Sequence, residues 1–148
     1  MYYSTEDKIQ FSVCFILFLI WFLCLVPVRK AQKDAESGHD NNNPREQYKT
    51  LPGTAQRALY AHNNLNEGFV WFGFSILANK VGGGNEIAAA VLALIYLFAR
   101  LVYVPAYIFD KASIRSAAFL IGFLANFGLF IVPFASSSIY SYNTPLNL

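Results

Sequence analysis

Two charged residues, Glu67 and Arg100, each sit near the middle of an otherwise apolar stretch of this chain. Bilayer hydrocarbon admits a charge at the centre of a spanning helix only at a cost of roughly 2.5 kcal/mol or more. A carboxylate and a guanidinium in successive segments therefore mark a candidate site and suggest a mutual pair. Asn63, Asn64, Asn66, Tyr96, Tyr103 and Tyr107 lie close to them in sequence and add amides and hydroxyls. A fixed carboxylate and guanidinium suit a small zwitterion, Glu67 taking an ammonium and Arg100 a carboxylate. Arg29, Lys30, Arg57 and Arg115 gather at one end of the same segments and would draw further carboxylates. An anionic, amino-acid-like thiol such as glutathione meets all of these requirements, and an apolar second substrate would reach such a site from the lipid.

Other chemistry is poorly represented. Cys14 and Cys24 are ten residues apart in one apolar run, about 15 Å along a helix, too far for a disulfide within the chain. His39 and His62 are isolated, so no metal-ligand spacing exists. The formal charge of +2 gives no reason to expect a nucleic-acid partner. The competing reading is non-enzymatic: the Glu, Arg and Asn cluster serves helix packing and oligomerisation alone. Interhelical hydrogen bonds in membranes contribute only about 0.6 kcal/mol on average, and a staple needs one pair rather than this many polar groups.

The elements that must hold these residues are membrane spans. Of 148 residues, 55% are hydrophobic and 14% charged, with the charges clustered, a pattern of polytopic membrane proteins. Ile9 to Val28 runs without a charge and is followed by basic residues with no small-residue cleavage pattern, so it reads as a retained anchor. Glu86 to Phe109 is interrupted only by Arg100, and Ser116 to Ala135 carries Asn126 as its one strongly polar residue. Ala55 to Asn79 is ambiguous by hydropathy, because its first half holds Arg57, His62, three Asn and Glu67. Counting it as a span puts Arg29, Lys30, Lys33, Arg45, Lys49, Arg57, Lys111 and Arg115 on one side, as the positive-inside rule requires.

The expectation is an all-α membrane protein, a single domain over 1–148 forming a four-transmembrane-helix bundle. The spans are 9–28, 55–79, 86–109 and 116–135, with a polar cytoplasmic loop at 29–54 and both termini outside the cytoplasm. Thr54 is the expected N-cap of the second span, and Asn85 with Glu86 can open the third at its positive dipole end. The Gly82-Gly83-Gly84 run should break the chain between them, and the short 110–115 linker makes the last two helices antiparallel neighbours.

At 100° per residue, Arg57, Tyr60, Asn64, Glu67 and Trp71 fall within about 80° on the second span, and Tyr96, Arg100, Tyr103 and Tyr107 within about 60° on the third. Both stripes should face the protein interior. Glu67 lies about 18 Å and Arg100 about 14 Å from the cytoplasmic boundary, comparable depths on antiparallel helices. Pro105 should disturb the helix beside the cluster.

Arg57-Ala58-Leu59-Tyr60-Ala61-His62-Asn63-Asn64-Leu65-Asn66-Glu67 resembles the second-helix signature R-x-x-x-A-H-x-N-x-x-E of the membrane-associated proteins in eicosanoid and glutathione metabolism, the MAPEG family. Arg100-Leu101-Val102-Tyr103-Val104-Pro105-Ala106-Tyr107, then Ile114-Arg115-Ser116, resembles its third-helix and loop pattern in the wording of bacterial members. The resemblance covers roughly residues 45–135. It implies a homotrimer in a bacterial inner membrane with glutathione as cosubstrate between subunits, in the manner of glutathione transferases or peroxidases acting on a lipophilic electrophile. By the same resemblance Asn64, Glu67, Arg100 and Tyr107, with Arg29, hold glutathione, while Arg115 and its neighbour Ser116 favour the thiolate. Tyr60, Asn63 and Tyr103 stand where some members carry basic residues or His, and fewer cations imply weaker glutathione binding.

Overall fold

The computed structural model describes residues 4–142, with side chains from Ser4 to Ser136. Six helices follow one another: α1 (Thr5–Leu23), α2 (Leu25–Asp34), α3 (Pro44–Lys49), α4 (Gly53–Val81), α5 (Glu86–Ile108) and α6 (Ala112–Tyr142), with no strand among the described residues. Three stretches are long and apolar enough to cross a membrane: Thr5–Asp34, Glu86–Ile108 and Ala112–Ser136. Helix α4 is an unbroken 29 residues, about 43 Å at 1.5 Å per residue, but its polar residues make it less apolar than those three.

Local chemistry sets the boundaries. Ser4 caps α1 with a reciprocal capping box to Asp7, satisfying two backbone donors that the helix leaves open. Pro27 offers no N–H to the carbonyl of Leu23, and the run expected at 9–28 is divided by a turn at Cys24 into α1 and α2. The helix continues to Asp34, and α3 forms further on, so the expected 29–54 loop is partly helical. Asn85 caps α5 by accepting from the Ala88 N–H at 2.9 Å. Thr54 does not cap α4. The helix begins one residue earlier, behind Pro52, and the Thr54 hydroxyl lies 3.5 Å from Arg57 Nη2 instead. Gly83 has φ of 66°, a backbone state only glycine adopts freely, and it turns the chain from α4 into α5. Asp110, at φ 58°, makes the α5–α6 turn, which Lys111 N–H closes onto the Ala106 carbonyl at 2.7 Å.

Helix α5 is central, packing against α6, α1 and α4, while α2 packs on α4. Ala58, Ala61, Ala89 and Ala93 are wholly buried, and residues this small let helix backbones approach closely. The main core joins Val13 and Leu17 of α1, Phe72 and Ile76 of α4, Tyr96 and Leu97 of α5, and Ala125 and Leu129 of α6. Phe11, Phe15, Phe18, Phe22, Phe98, Phe123 and Phe134 stand exposed around the outside. In water such a surface would associate; in a bilayer it meets lipid.

A charged tie closes the end away from the basic residues. Lys80 Nζ lies 2.8 Å from Asp7 Oδ1 and 2.8 Å from Glu86 Oε1, joining the starts of α1 and α5 to the end of α4. Its hydrogen bonds to Asp7 and Glu86 hold the Lys80 ammonium above the ordinary lysine pKa. Cys14 and Cys24 are both free thiols.

Candidate functional site

Arg100 is only 4% exposed. Its Nη1 donates to Asn64 Oδ1 at 3.1 Å, which fastens α5 to α4. Three rings surround the guanidinium carbon, Tyr96 at 4.8 Å, Tyr103 at 5.3 Å and Phe119 at 5.5 Å. Desolvated cation–π contacts are worth about 2 kcal/mol or more, so the charge is held by aromatic faces and one amide. Its Nε is buried without a hydrogen-bond partner among the described residues.

The expected Glu67–Arg100 ion pair is not formed. Glu67 is exposed and has no ion pair or hydrogen bond among the described residues. Both side chains nevertheless line one cleft of about 330 Å³ between α4 and α6. Asn64, Gly68 and Trp71 form its α4 side; Phe119, Phe123 and Asn126 lie on its α6 side. The reason is the rotation of α4. The α5 stripe does point inward, with Tyr96 and Tyr103 buried, but the α4 stripe opens outward, leaving Tyr60, Glu67 and Trp71 exposed. One chain alone therefore presents a carboxylate and a tryptophan on the outer edge of the cleft.

Gly68 explains how Arg100 fits. A Cβ at this position would lie 2.6 Å from the Tyr96 hydroxyl and 3.0 Å from Arg100 Nη2. The absent side chain is the space the guanidinium and phenol occupy. Gly122 faces the same region from α6, but a Cβ there would make only ordinary contact, 3.4 Å from that of Ala99.

A second cluster lies nearer the α5–α6 turn. The Arg115 guanidinium carbon sits 4.7 Å from the Tyr107 ring centre, and Tyr107 meets Tyr103 edge-on at 5.6 Å. Arg100, Tyr103, Tyr107 and Arg115 thus form one continuous ladder of cation and ring contacts. Arg57 Nε donates to the Ile108 carbonyl at 3.0 Å, and its Nη1 is 3.8 Å from Asp110 Oδ2, so this arginine holds the turn. Ser116 is exposed and makes no side-chain hydrogen bond among the described residues. Arg29 is exposed on α2 and lines a different groove. Of the seven residues singled out in the sequence, the cleft unites Asn64, Glu67 and Arg100. The ladder adds Tyr107 and Arg115, while Arg29 and Ser116 stand apart within one chain.

Several contacts have weak sequence signals. His62 Nδ1 is 2.9 Å from the Trp21 carbonyl oxygen, and its ring stacks on the Trp21 indole at 4.6 Å, which ties α4 to α1 at the turn before α2. Ser75 donates to Asn126 Oδ1 at 2.9 Å, placing that amide at the wall of the cleft. The Gly that directly follows Glu67 was the one available hint of the Arg100 cradle.

Apolar helices of bilayer-crossing length around a buried guanidinium and a polar cleft define an integral membrane protein. The model of the MAPEG family matches residues 10–135, most of the 148-residue chain, and the protein belongs to that family. No curated protein matches the sequence.

Proposed function

We propose that the chain is a four-span bundle that assembles as a homotrimer and binds glutathione in the Arg100 cleft. The observation that carries this reading is Arg100 itself: a buried cation with one hydrogen-bonded amide and an unpartnered Nε, facing a cleft whose rim holds an unpaired carboxylate, Glu67. A buried cation left this open favours an anion, and Glu67 beside it favours an ammonium. Together they fit the zwitterionic end of glutathione, with Asn64 steadying the guanidinium. Tyr107 and Arg115 carry the ladder toward the basic end, where the second carboxylate and the thiol would lie. A cation at Arg115 would favour the thiolate, with Ser116 as its neighbour, and Arg29 would close the mouth from an adjoining subunit. The reaction such a site would serve is attack of that thiolate on the carbon of a lipophilic electrophile arriving along the α6 phenylalanines: the S–C bond forms, the electrophile's leaving group departs with its bonding pair, and the thiol proton is released to water.

Oligomerisation follows from the outward turn of the α4 stripe. A carboxylate exposed at membrane depth is costly, and a neighbouring copy seated over Glu67 and Trp71 removes that cost. If the cluster only fastened helices within one chain, Glu67 would pair with Arg100, and it does not. Helix α4 serves as the fourth span, since about 43 Å exceeds the roughly 30 Å of hydrocarbon, with Asn64 and Glu67 turned to the cleft and His62 held against Trp21 of α1. Both termini then lie outside the cytoplasm of a bacterial inner membrane.

Titration calorimetry of the detergent-purified protein with glutathione should give saturable heat at millimolar ligand or below, abolished in Glu67→Gln. Absence of heat in the wild type sinks the glutathione reading. A reporter fused within residues 82–84 should report a non-cytoplasmic position, and a cytoplasmic signal would remove the fourth span. Light scattering of the detergent complex should count three chains.

A further inference from the structure

The start of α1, the end of α4 and the start of α5 meet at the pole of the bundle opposite the Arg115 ladder. With Ser136 of α6 they enclose an open cavity of about 820 Å³. Most of the polar groups around it are committed within the chain. Lys80 gives its N–H donors to Asp7 and Glu86, at 2.8 Å from each carboxylate. Asn85 Oδ1 accepts from the Ala88 N–H, and the Asn85 N–H donates to Ser136 Oγ, each at 2.9 Å. The Ser136 hydroxyl in turn donates to the Val132 carbonyl at 2.9 Å.

Glu6, Gln10 and Asn79 are left over in the same wall. Gln10 is 3% exposed and Asn79 2%, yet neither amide makes a side-chain hydrogen bond among the described residues. Asn79 Oδ1 faces Gly84, where any side chain would collide with it. Glu6, one turn from Gln10 on the same face of α1, has no ion pair or hydrogen bond among the described residues. Burying an amide without a partner is costly, and here two such amides line a cavity beside a free carboxylate. Glu6, Asp7 and Glu86 against Lys80 leave this pole with an excess of negative charge, and Lys8, exposed on α1, does not line the cavity.

The excess charge selects a cation, and the amides select one that carries N–H donors. Among the described residues no aromatic ring lines the cavity, so a quaternary ammonium would find no π-face to rest on. A metal ion is poorly matched, since no cluster of three His, Cys, Asp or Glu side chains able to hold one exists among the described residues. A lipid headgroup would bring its phosphate beside three acids whose one lysine is already spent. We propose that the cavity binds a water-soluble primary amine, a linear diamine above all. One ammonium sits on the Glu6 carboxylate and the Gln10 amide oxygen, and the second is drawn to Glu86. The site is remote from the glutathione cleft and stands whether or not glutathione binds there.

The test is calorimetric titration of the detergent-purified protein with cadaverine, and with choline at equal ionic strength. Cadaverine should give saturable heat, and choline should bind about tenfold more weakly or worse. Glu6→Gln and Gln10→Leu should each weaken cadaverine about tenfold, the loss of one hydrogen bond to a charged group, with helical circular dichroism unchanged. Gln10→Leu leaves every charge in place, so its effect separates a built site from attraction to an acidic surface. If that variant fails to fold, Glu6→Gln and the choline comparison on the unaltered chain still decide. No heat with millimolar cadaverine, equal binding of choline, or affinity unchanged in both variants overturns the proposal. Nanodiscs of phosphatidylcholine and of phosphatidylethanolamine separate the two sources of a primary ammonium. Equal cadaverine affinity in both supports the soluble amine. Loss of binding in phosphatidylethanolamine alone gives the cavity to the lipid headgroup and overturns it.

Discussion

Replacing Gly68 by alanine separates the position of Arg100 from the stability of the helix that holds it. The added methyl would meet the Tyr96 hydroxyl at 2.6 Å and Arg100 Nη2 at 3.0 Å, against about 3.4 Å for ordinary contact. The phenol must therefore yield by about 0.8 Å and the guanidinium by about 0.4 Å. Overpacking of this kind costs about 1–3 kcal/mol, while alanine in place of glycine returns about 0.8–1.0 kcal/mol of helix propensity. The net loss of stability is small, within about 2 kcal/mol. Ligand binding has no such compensation. A hydrogen bond to a charged group is worth about 1.5–3 kcal/mol, so a guanidinium moved off its ligand should weaken glutathione roughly 10- to 150-fold. The assay is titration calorimetry beside a thermal melt, with Gly73→Ala as the control, because a Cβ there meets nothing within 4 Å. If Gly68→Ala binds glutathione within threefold of wild type, Arg100 is not where the ligand's carboxylate sits and the reasoning fails.

Asn64→Leu removes the hydrogen bond that Arg100 makes to α4 and should destabilise the protein by about 1.5–3 kcal/mol. Asn64→Leu/Arg100→Met should recover much of that loss in thermal melts, since an apolar pair replaces an unpaired buried charge. Lys80→Met should lower the melting midpoint at neutral pH by releasing Asp7 and Glu86. Because the folded Lys80 pKa is raised, the tie is fully present below the ordinary value of 10.5. It is lost as pH rises through the higher folded value, so the gap between Lys80→Met and wild type should close in strong alkali. Gln47→Leu should open the segment between α2 and α3, where Gln47 accepts from Gln32 Nε2 at 3.1 Å and donates to the Gly38 carbonyl at 2.6 Å. Limited proteolysis there should quicken while the melting midpoint of the bundle stays put.

Arg100 shows how far a sequence can carry a site. Its charge within an apolar run marked it as buried, and the wheel placed Tyr96 and Tyr103 beside it, as they are. Asn85 and Glu86 could be read as opening α5 because a helix start depends only on residues within one turn of each other. Thr54 misled for a related reason: Pro52 already fixes the backbone needed to begin the helix, leaving the hydroxyl free for Arg57. The break at Cys24 is not legible in hydropathy, which carries no trace of the backbone donor lost at Pro27.

The sequence by itself determined that the chain is helical and membrane-bound, and which residues would be costly in lipid, because hydrophobic period and charge placement are properties of local chain. The joint spacing of Arg57, Asn64, Glu67 and Arg100 also sufficed to suggest the MAPEG family. Only the tertiary structure decided who meets whom. The rotation of α4 about its axis gave Arg100 to Asn64 and three rings, and left Glu67 on the outer rim of the same cleft. That rotation is set by contacts such as Gly68 against Tyr96 and Ala58 against its neighbours, between residues far apart in the chain. Pattern along one helix fixes which residues share a face; only packing between helices fixes where that face points.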